Sequence, residues 1–166
     1  DLNRTMTRVL RRAALPVWYT EGFNRHPYIT FAAPLSLGYE GLRESMDFRL
    51  EQNLPDAELV ERLNAVMPEG LHVDAAGEAV HKVGDLAAAR WRLWFSCPRA
   101  ALEQLLAQDA ILVEKRTKKK QMKEIDIRPY LSEVSLTEEG EETRMDVTLP
   151  CSGDTTINPS LILSAL

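Results

Sequence analysis

Four arginines recur at helical spacing near the start of the chain: Arg4, Arg8, Arg11 and Arg12. At about 100° per residue they fall on one side of a helix predicted over residues 2–14, opposite an apolar side. Like charges at this spacing repel by a few tenths of a kcal/mol per pair, whereas guanidinium groups bind phosphate strongly. Two interpretations stay open: a phosphate-binding face, or a solvated face that pairs with acidic residues of the segment 40–89.

A second basic cluster is denser, with six basic residues within nine positions: Lys115, Arg116, Lys118, Lys119, Lys120 and Lys123. The alternating residues around them predict a β-hairpin with its tip at 118–120. Such a cluster can follow a nucleic-acid backbone. It can equally protect the edges of a soluble hairpin, or dock on an acidic protein face. The sequence does not decide among these three roles.

A loop with glycine, asparagine and proline is predicted over residues 21–27, and it contains Asn24, Arg25 and His26. Asn24 and His26 suit hydrogen bonds to a base or a phosphate, and His26 also suits general acid–base catalysis. The structural alternative is that Asn24 forms an Asx turn and His26 anchors the loop. No carboxylate partner for His26 is identifiable, which weakens the catalytic interpretation.

Motifs for metal, cofactor and nucleophilic chemistry are missing from the sequence. Its two cysteines, Cys97 and Cys151, are 54 positions apart, and no metal-ligand, cluster-binding or phosphate-loop spacing occurs. We therefore predict no cofactor, no metal and no catalytic residue. Aromatic residues on predicted strands can stack on bases, but they more often belong to a core; they are Trp18, Trp91, Trp94 and Phe95.

The net charge of −5 over 166 residues is distributed in blocks. Residues 1–38, 90–108 and 109–129 carry +3, +2 and +3, whereas residues 40–89 and 130–166 carry −7 and −6. Ligands are steered by the local electrostatic potential and not only by the total charge. The acidic total therefore does not exclude nucleic acid as a partner. No apolar run approaches the ~18–20 residues of a membrane span, and two cysteines suit a reducing compartment. We expect a cytoplasmic protein without a membrane partner.

The elements that must position these residues follow from periodicity. The first half reads as helix–strands–helix–strand, and the second as strand–helix–strands–helix. Short strands are predicted at 17–20, 28–35, 45–51 and 71–75 of the first half. Both halves fit a split βαβ unit. We predict an α+β fold of tandem ferredoxin-like units, with antiparallel sheets and helices on one face. The units span residues 1–76 and 90–166, joined by a linker over 77–89. Each unit lacks one outer strand, as expected for an excised piece of a longer protein.

Three segments resemble the DUF2344 family of radical-SAM-linked proteins. They are the loop Gly22-Phe23-Asn24-x-His26-Pro27, the run VEKRTKKKQMKEIDIRPYL and the closing INPSLILSAL. Arg25 stands where this family more often has proline, and Lys120 where glycine is common, so both departures add positive charge. The resemblance implies a fused or adjacent radical SAM protein as partner, and it brings no catalytic residue with it.

We therefore expect a non-catalytic RNA-binding or substrate-delivery module for a radical SAM modification enzyme. This expectation rests on the basic elements and on the resemblance, since inferring RNA binding from a fold is analogy alone. The alternatives are a protein-docking domain that uses the same lysines and, last, a stand-alone enzyme that uses His26.

Overall fold

The computed structural model describes residues 2–33, 35–116, 121–151 and 156–166. Within them the fold is mixed α+β, with four α-helices and seven strands, and the strands pair antiparallel. The predicted α+β class is therefore confirmed. The chain divides into two compact units, Asp1–Val83 and Gly84–Leu166, called the first and the second unit below.

Helix α1 spans Leu2–Arg12 and buries Met6, Val9 and Leu10, as its apolar period predicts. It ends two residues earlier than predicted, because Ala14 adopts a left-handed backbone conformation with φ of 49°. Arg62 stabilises this end of the helix. Its Nε donates to the carbonyl of Ala13 (3.2 Å) and its Nη2 to the carbonyl of Ala14 (2.6 Å). These two carbonyls would otherwise lack a hydrogen-bond partner inside the helix.

The first sheet is a two-stranded pair, β1 (Ile29–Phe31) and β2 (Met46–Phe48). The predicted strand over 17–20 forms only isolated bridges, at Val17 and Tyr19. The segment 17–20 crosses the end of the β1–β2 pair, where the backbone of Trp18 hydrogen-bonds to a residue next to each strand. The N–H of Trp18 donates to the carbonyl of Arg49 (2.8 Å), and the carbonyl of Trp18 accepts from the N–H of Tyr28 (3.1 Å).

Helix α2 (Asp56–Asn64) follows Pro55, as predicted, and buries Leu59 and Leu63 in the same core as α1. The prediction of a strand over 71–75 is wrong, because this segment forms no strand. In its place, the amide side chain of Asn64 donates to the carbonyl of Val73 (2.9 Å) and accepts from its N–H (2.8 Å). A side chain therefore supplies the two hydrogen bonds that a neighbouring strand would otherwise provide.

The first sheet has one face that packs on the core of its unit and one that points away from it. Its covered face packs against the core through Ile29, Phe31, Met46 and Phe48. Since successive strand residues point to opposite sides, the alternate positions lie on the other face. We call this the outer face of the first sheet; its residues are Trp18, Tyr28, Thr30, Asp47 and Arg49.

The second unit contains five strands and two helices among its described residues. The strands are β3 (Ala88–Phe95), β4 (Leu112–Arg116), β5 (Met122–Asp126), β6 (Val134–Glu139) and β7 (Glu142–Pro150). The helices are α3 (Arg99–Leu106) and α4 (Ser160–Leu163). A three-stranded sheet has the order β3–β7–β6, and β4 pairs with β5 as a separate hairpin.

Alternation along β3 and β7 separates a buried face from a charged one. Leu93, Phe95, Met145, Val147 and Leu149 are buried on one side. The residues between them form the outer face of the second sheet, and they include Arg92, Trp94, Arg144 and Asp146. Two single-turn 3₁₀ helices, Val83–Asp85 and Arg128–Tyr130, complete the ordered elements.

Candidate nucleic-acid interface

The four arginines of α1 lie in different environments. Arg12 donates from Nη2 to the carbonyl of Val66 (2.7 Å), so it joins α1 to the segment after α2. The guanidinium of Arg11 lies 5.9 Å from the ring centre of Tyr19. Arg4 and Arg8 are exposed, and Arg4 has a partner of its own. The side chain of Arg8 makes no hydrogen bond or ion pair with any described residue. Arg11 and Arg12 therefore contribute to the packing of the first unit, and Arg8 remains open to a ligand.

The loop over residues 21–27 is closed by His26 and Thr20. The N–H of Thr20 donates to the carbonyl of His26 (2.9 Å), and the N–H of His26 donates to Oγ1 of Thr20 (3.2 Å). The Nδ1 atom of His26 lies 2.9 Å from the carbonyl oxygen of Asn24. Because a carbonyl only accepts, Nδ1 carries the proton and the neutral ring keeps a lone pair on Nε2. His26 thus anchors the loop, through the backbone of Asn24 rather than its side chain.

The loop presents an aromatic ring and a cation to solvent. Phe23 is fully exposed and Arg25 is exposed. No carboxylate of the described residues hydrogen-bonds to His26; the Asn24 carbonyl orients its ring instead. The loop starts and ends beside Trp18 and Tyr28, which are joined by a backbone hydrogen bond. The two ends of the loop are therefore next to the outer face of the first sheet.

The outer face of the first sheet holds two aromatic rings and an arginine. The Arg49 guanidinium lies 5.0 Å from the ring centre of Trp18. The Trp18 and Tyr28 ring centres are 6.0 Å apart at an interplanar angle of 68°, an edge-to-face contact. No role of Arg49 or Tyr28 is predicted from the sequence. The available signal was the alternation of residues 45–51, which puts Arg49 opposite the apolar positions of its strand.

The hairpin β4–β5 separates its charges by face. Lys115 is the cross-strand partner of Lys123, and Glu114 is the partner of Glu124. Neighbouring residues of a strand point to opposite faces, so the two lysines share one face and the two glutamates the other. The Nζ of Lys115 donates to the carbonyl of Thr156 (2.5 Å), which fixes one end of the lysine face.

Arg116 belongs to the glutamate face, two positions beyond Glu114. Among the described members of the predicted cluster, Arg116 therefore lies on the face opposite Lys115 and Lys123. The remaining members of the cluster, Lys118, Lys119 and Lys120, lie outside the described residues.

The outer face of the second sheet is a closed network of ion pairs. The Nε atoms of Arg92 and Arg144 each lie 3.0 Å from an oxygen of Asp146. Burial alone would raise the pKa of Asp146, but its hydrogen bonds and charge interactions with the two arginines outweigh that effect and hold this pKa below its ordinary value. The carboxylate of Glu139 accepts from the indole N–H of Trp94 (3.1 Å) and pairs with Arg144. Cations and carboxylates largely neutralise each other here.

The residues that the structure describes contain no group of three or more side chains suited to a metal ion. In the same residues, no helix has the length and apolar character to span a membrane.

Comparison with curated proteins gives no match, and comparison with solved structures gives none either. A family model does match, over residues 1–159. That family is described as "Uncharacterized protein conserved in bacteria (DUF2344)". The match spans nearly the whole chain, including both units and every element before α4. The chain therefore belongs to the DUF2344 family of bacterial proteins.

Proposed function

We propose that this chain is an RNA-binding module that delivers RNA to a radical SAM modification enzyme and has no catalytic activity of its own. The outer face of the first sheet carries the proposal. Trp18, Tyr28 and Arg49 combine aromatic rings with a guanidinium on the sheet face that points away from the core of the unit. This combination is typical of surfaces that bind RNA, because rings stack on bases and cations contact phosphates.

The hairpin of the second unit supports the same function. Two lysines that face each other across a ladder repel, and this arrangement destabilises a hairpin by a few tenths of a kcal/mol. A phosphate group bound between Lys115 and Lys123 would offset that repulsion, whereas a neutral ligand would not. The cross-strand glutamates lie on the opposite face, where they do not repel a phosphate on the lysine face at short range.

His26 is assigned to the loop rather than to catalysis, because its backbone and ring close the loop through Thr20 and Asn24. The radical SAM partner rests on the family resemblance of the loop, the lysine hairpin and the closing segment. Each unit is proposed to be ferredoxin-like. The order of strand, helix and two strands in β3–α3–β4–β5 supports this for the second unit, and for the first unit it rests on the sequence pattern alone. The cytoplasmic location rests on the two free thiols, Cys97 and Cys151.

The test is a binding titration of the purified chain with a fluorescently labelled RNA at increasing salt. Binding through phosphates weakens linearly on a log–log plot, with a slope set by the number of phosphates neutralised. RNA binding at low salt with such a slope supports the function. If no RNA binds at low salt, the function is wrong, and docking of the same lysines on the radical SAM partner takes its place.

A further inference from the structure

We infer that the outer face of the first sheet binds unpaired bases, so that the RNA is single-stranded where it meets the first unit. This inference rests on the proposed RNA-binding function and adds the class of substrate. It concerns three side chains, Trp18, Tyr28 and Arg49, and it depends on how their planar groups are arranged.

The relative orientation of the two rings leaves them unstacked on each other. Their contact is edge-to-face, at 68°, so neither ring is stacked flat on the other. Tyr28 is 48% exposed, so about half of its side chain lies in solvent. A base that stacks on the open part of Tyr28 would cover apolar surface that the fold itself leaves in water.

Arg49 adds a cation beside the rings. Its guanidinium is held 5.0 Å from the Trp18 ring centre, within the distance of a cation–π interaction. A guanidinium in this position can stack on a base with its plane and donate to a phosphate with its edge. The same three residues therefore offer groups for a base and for the phosphate attached to it.

Duplex RNA does not fit this surface. Bases inside an A-form helix are stacked on each other, and its major groove is too deep and narrow for side chains to read. Only bases in single strands, loops and bulges expose a ring face to a protein aromatic.

The second sheet provides a contrast within the same chain. Trp94 is 50% exposed and also lies on an outer sheet face, but its indole N–H donates to the carboxylate of Glu139. Asp146 lies on that same face. Carboxylates at this position repel the phosphate that accompanies a base. The outer face of the first sheet also carries one acid, Asp47, whose cross-strand partner is Thr30. Trp94 is therefore a matched control for Tyr28.

The experiment compares a short single-stranded RNA with the same strand annealed to its complement, for wild type and three variants. Tyr28→Leu and Arg49→Gln change exposed side chains, so both variants are expected to fold. Trp94→Leu is the control. Loss of one stacked base is expected to weaken binding of the single strand by about 5- to 100-fold for Tyr28→Leu, with little change for Trp94→Leu. The duplex is expected to bind more weakly than the single strand.

The outcomes separate the inference from the proposed function. Two results would overturn the inference and leave the proposed function standing, provided that binding depends on salt. In the first, the duplex binds with the same affinity as the single strand. In the second, Tyr28→Leu and Trp94→Leu both bind with the affinity of wild type. Failure of wild type to bind either RNA at low salt overturns both. Selective loss in Tyr28→Leu supports both.

Discussion

Trp18 and Arg49 are joined twice. The backbone N–H of Trp18 donates to the carbonyl of Arg49 (2.8 Å), and the guanidinium of Arg49 lies 5.0 Å from the centre of the Trp18 ring. The backbone bond fixes the two residues side by side where the segment 16–20 crosses the first sheet. The cation is thus positioned by the fold rather than by a flexible side chain alone, which reduces the entropy lost when a ligand binds.

Removing the Arg49 cation is expected to weaken RNA binding. In Arg49→Gln the loss of one charge-assisted contact should reduce affinity by about 10-fold, while Arg49→Lys should retain part of it, because lysine keeps the charge but loses the planar group. Arg99→Gln is a suitable control, since Arg99 is exposed on α3 and pairs with Glu103. Fluorescence anisotropy at fixed salt measures all three. Equal affinities of Arg49→Gln and Arg99→Gln would remove Arg49 from the interface.

The lysine face of the hairpin is expected to set part of the salt dependence. For a single-stranded nucleic acid, each phosphate contact contributes about 0.7 to the slope of log affinity against log salt concentration. The double variant Lys115→Ala with Lys123→Ala should therefore flatten this slope by about 1.4. Arg116→Ala removes the same charge from the opposite face and should leave the slope almost unchanged.

Lys115 also bonds to the carbonyl of Thr156, so the single variant Lys123→Ala separates binding from stability. It should flatten the slope by about 0.7. A slope that is the same in wild type and in both lysine variants would assign these residues to solubility or to a protein partner.

Local patterns in the sequence predicted much of the fold. The apolar period of residues 2–14 predicted α1, and Pro55 predicted the start of α2. The alternating residues around Lys115 and Lys123 predicted a hairpin that the structure contains. These features depend on residues close together in the chain, so the sequence contains enough information to predict them.

Pairings between distant residues could not be predicted in this way. Trp18 and Arg49 are 31 positions apart, and no periodicity shows that the segment 16–20 crosses the end of β1–β2. The strand predicted over 71–75 does not form, because the side chain of Asn64 makes the two backbone hydrogen bonds of Val73 that a neighbouring strand would make. Asp146 is buried between two arginines, which alternation alone does not reveal because acids at alternate positions are normally exposed.

Ala14 offers a direct test of how α1 ends. Its φ of 49° lies in the left-handed region, which costs residues with a Cβ atom about 1 kcal/mol. Ala14→Gly should therefore raise the free energy of unfolding of the first unit by about 0.5 to 1 kcal/mol. Ala14→Val should lower it, because branching at Cβ makes this conformation worse. Urea denaturation measures both, and the same midpoint for the two variants would contradict a left-handed Ala14.

Asp146 should make the second unit sensitive to acid. Burial disfavours its charge, but Arg92 and Arg144 together lower its pKa below the ordinary 3.8. The unfolded state then binds a proton more readily than the folded state, so the stabilisation is fully present above about pH 4 and is lost as the pH falls through the lowered pKa. Asp146→Asn should be less stable at neutral pH and should lose less stability on acidification.

Denaturant midpoints at neutral and acidic pH measure this difference. Arg92→Gln removes one of the two partners and should shift the pH dependence in the same direction by a smaller amount. If Asp146→Asn loses as much stability between the two pH values as wild type, the carboxylate does not carry the acid sensitivity.

Binding of a short single-stranded RNA to the purified chain, titrated from about 50 to 200 mM salt, tests the RNA-binding function most directly. We predict binding at the lowest salt, a linear log–log decrease, and a weaker interaction in Tyr28→Leu than in Trp94→Leu. The absence of binding at the lowest salt, in wild-type protein that is folded by circular dichroism, would contradict the proposed function.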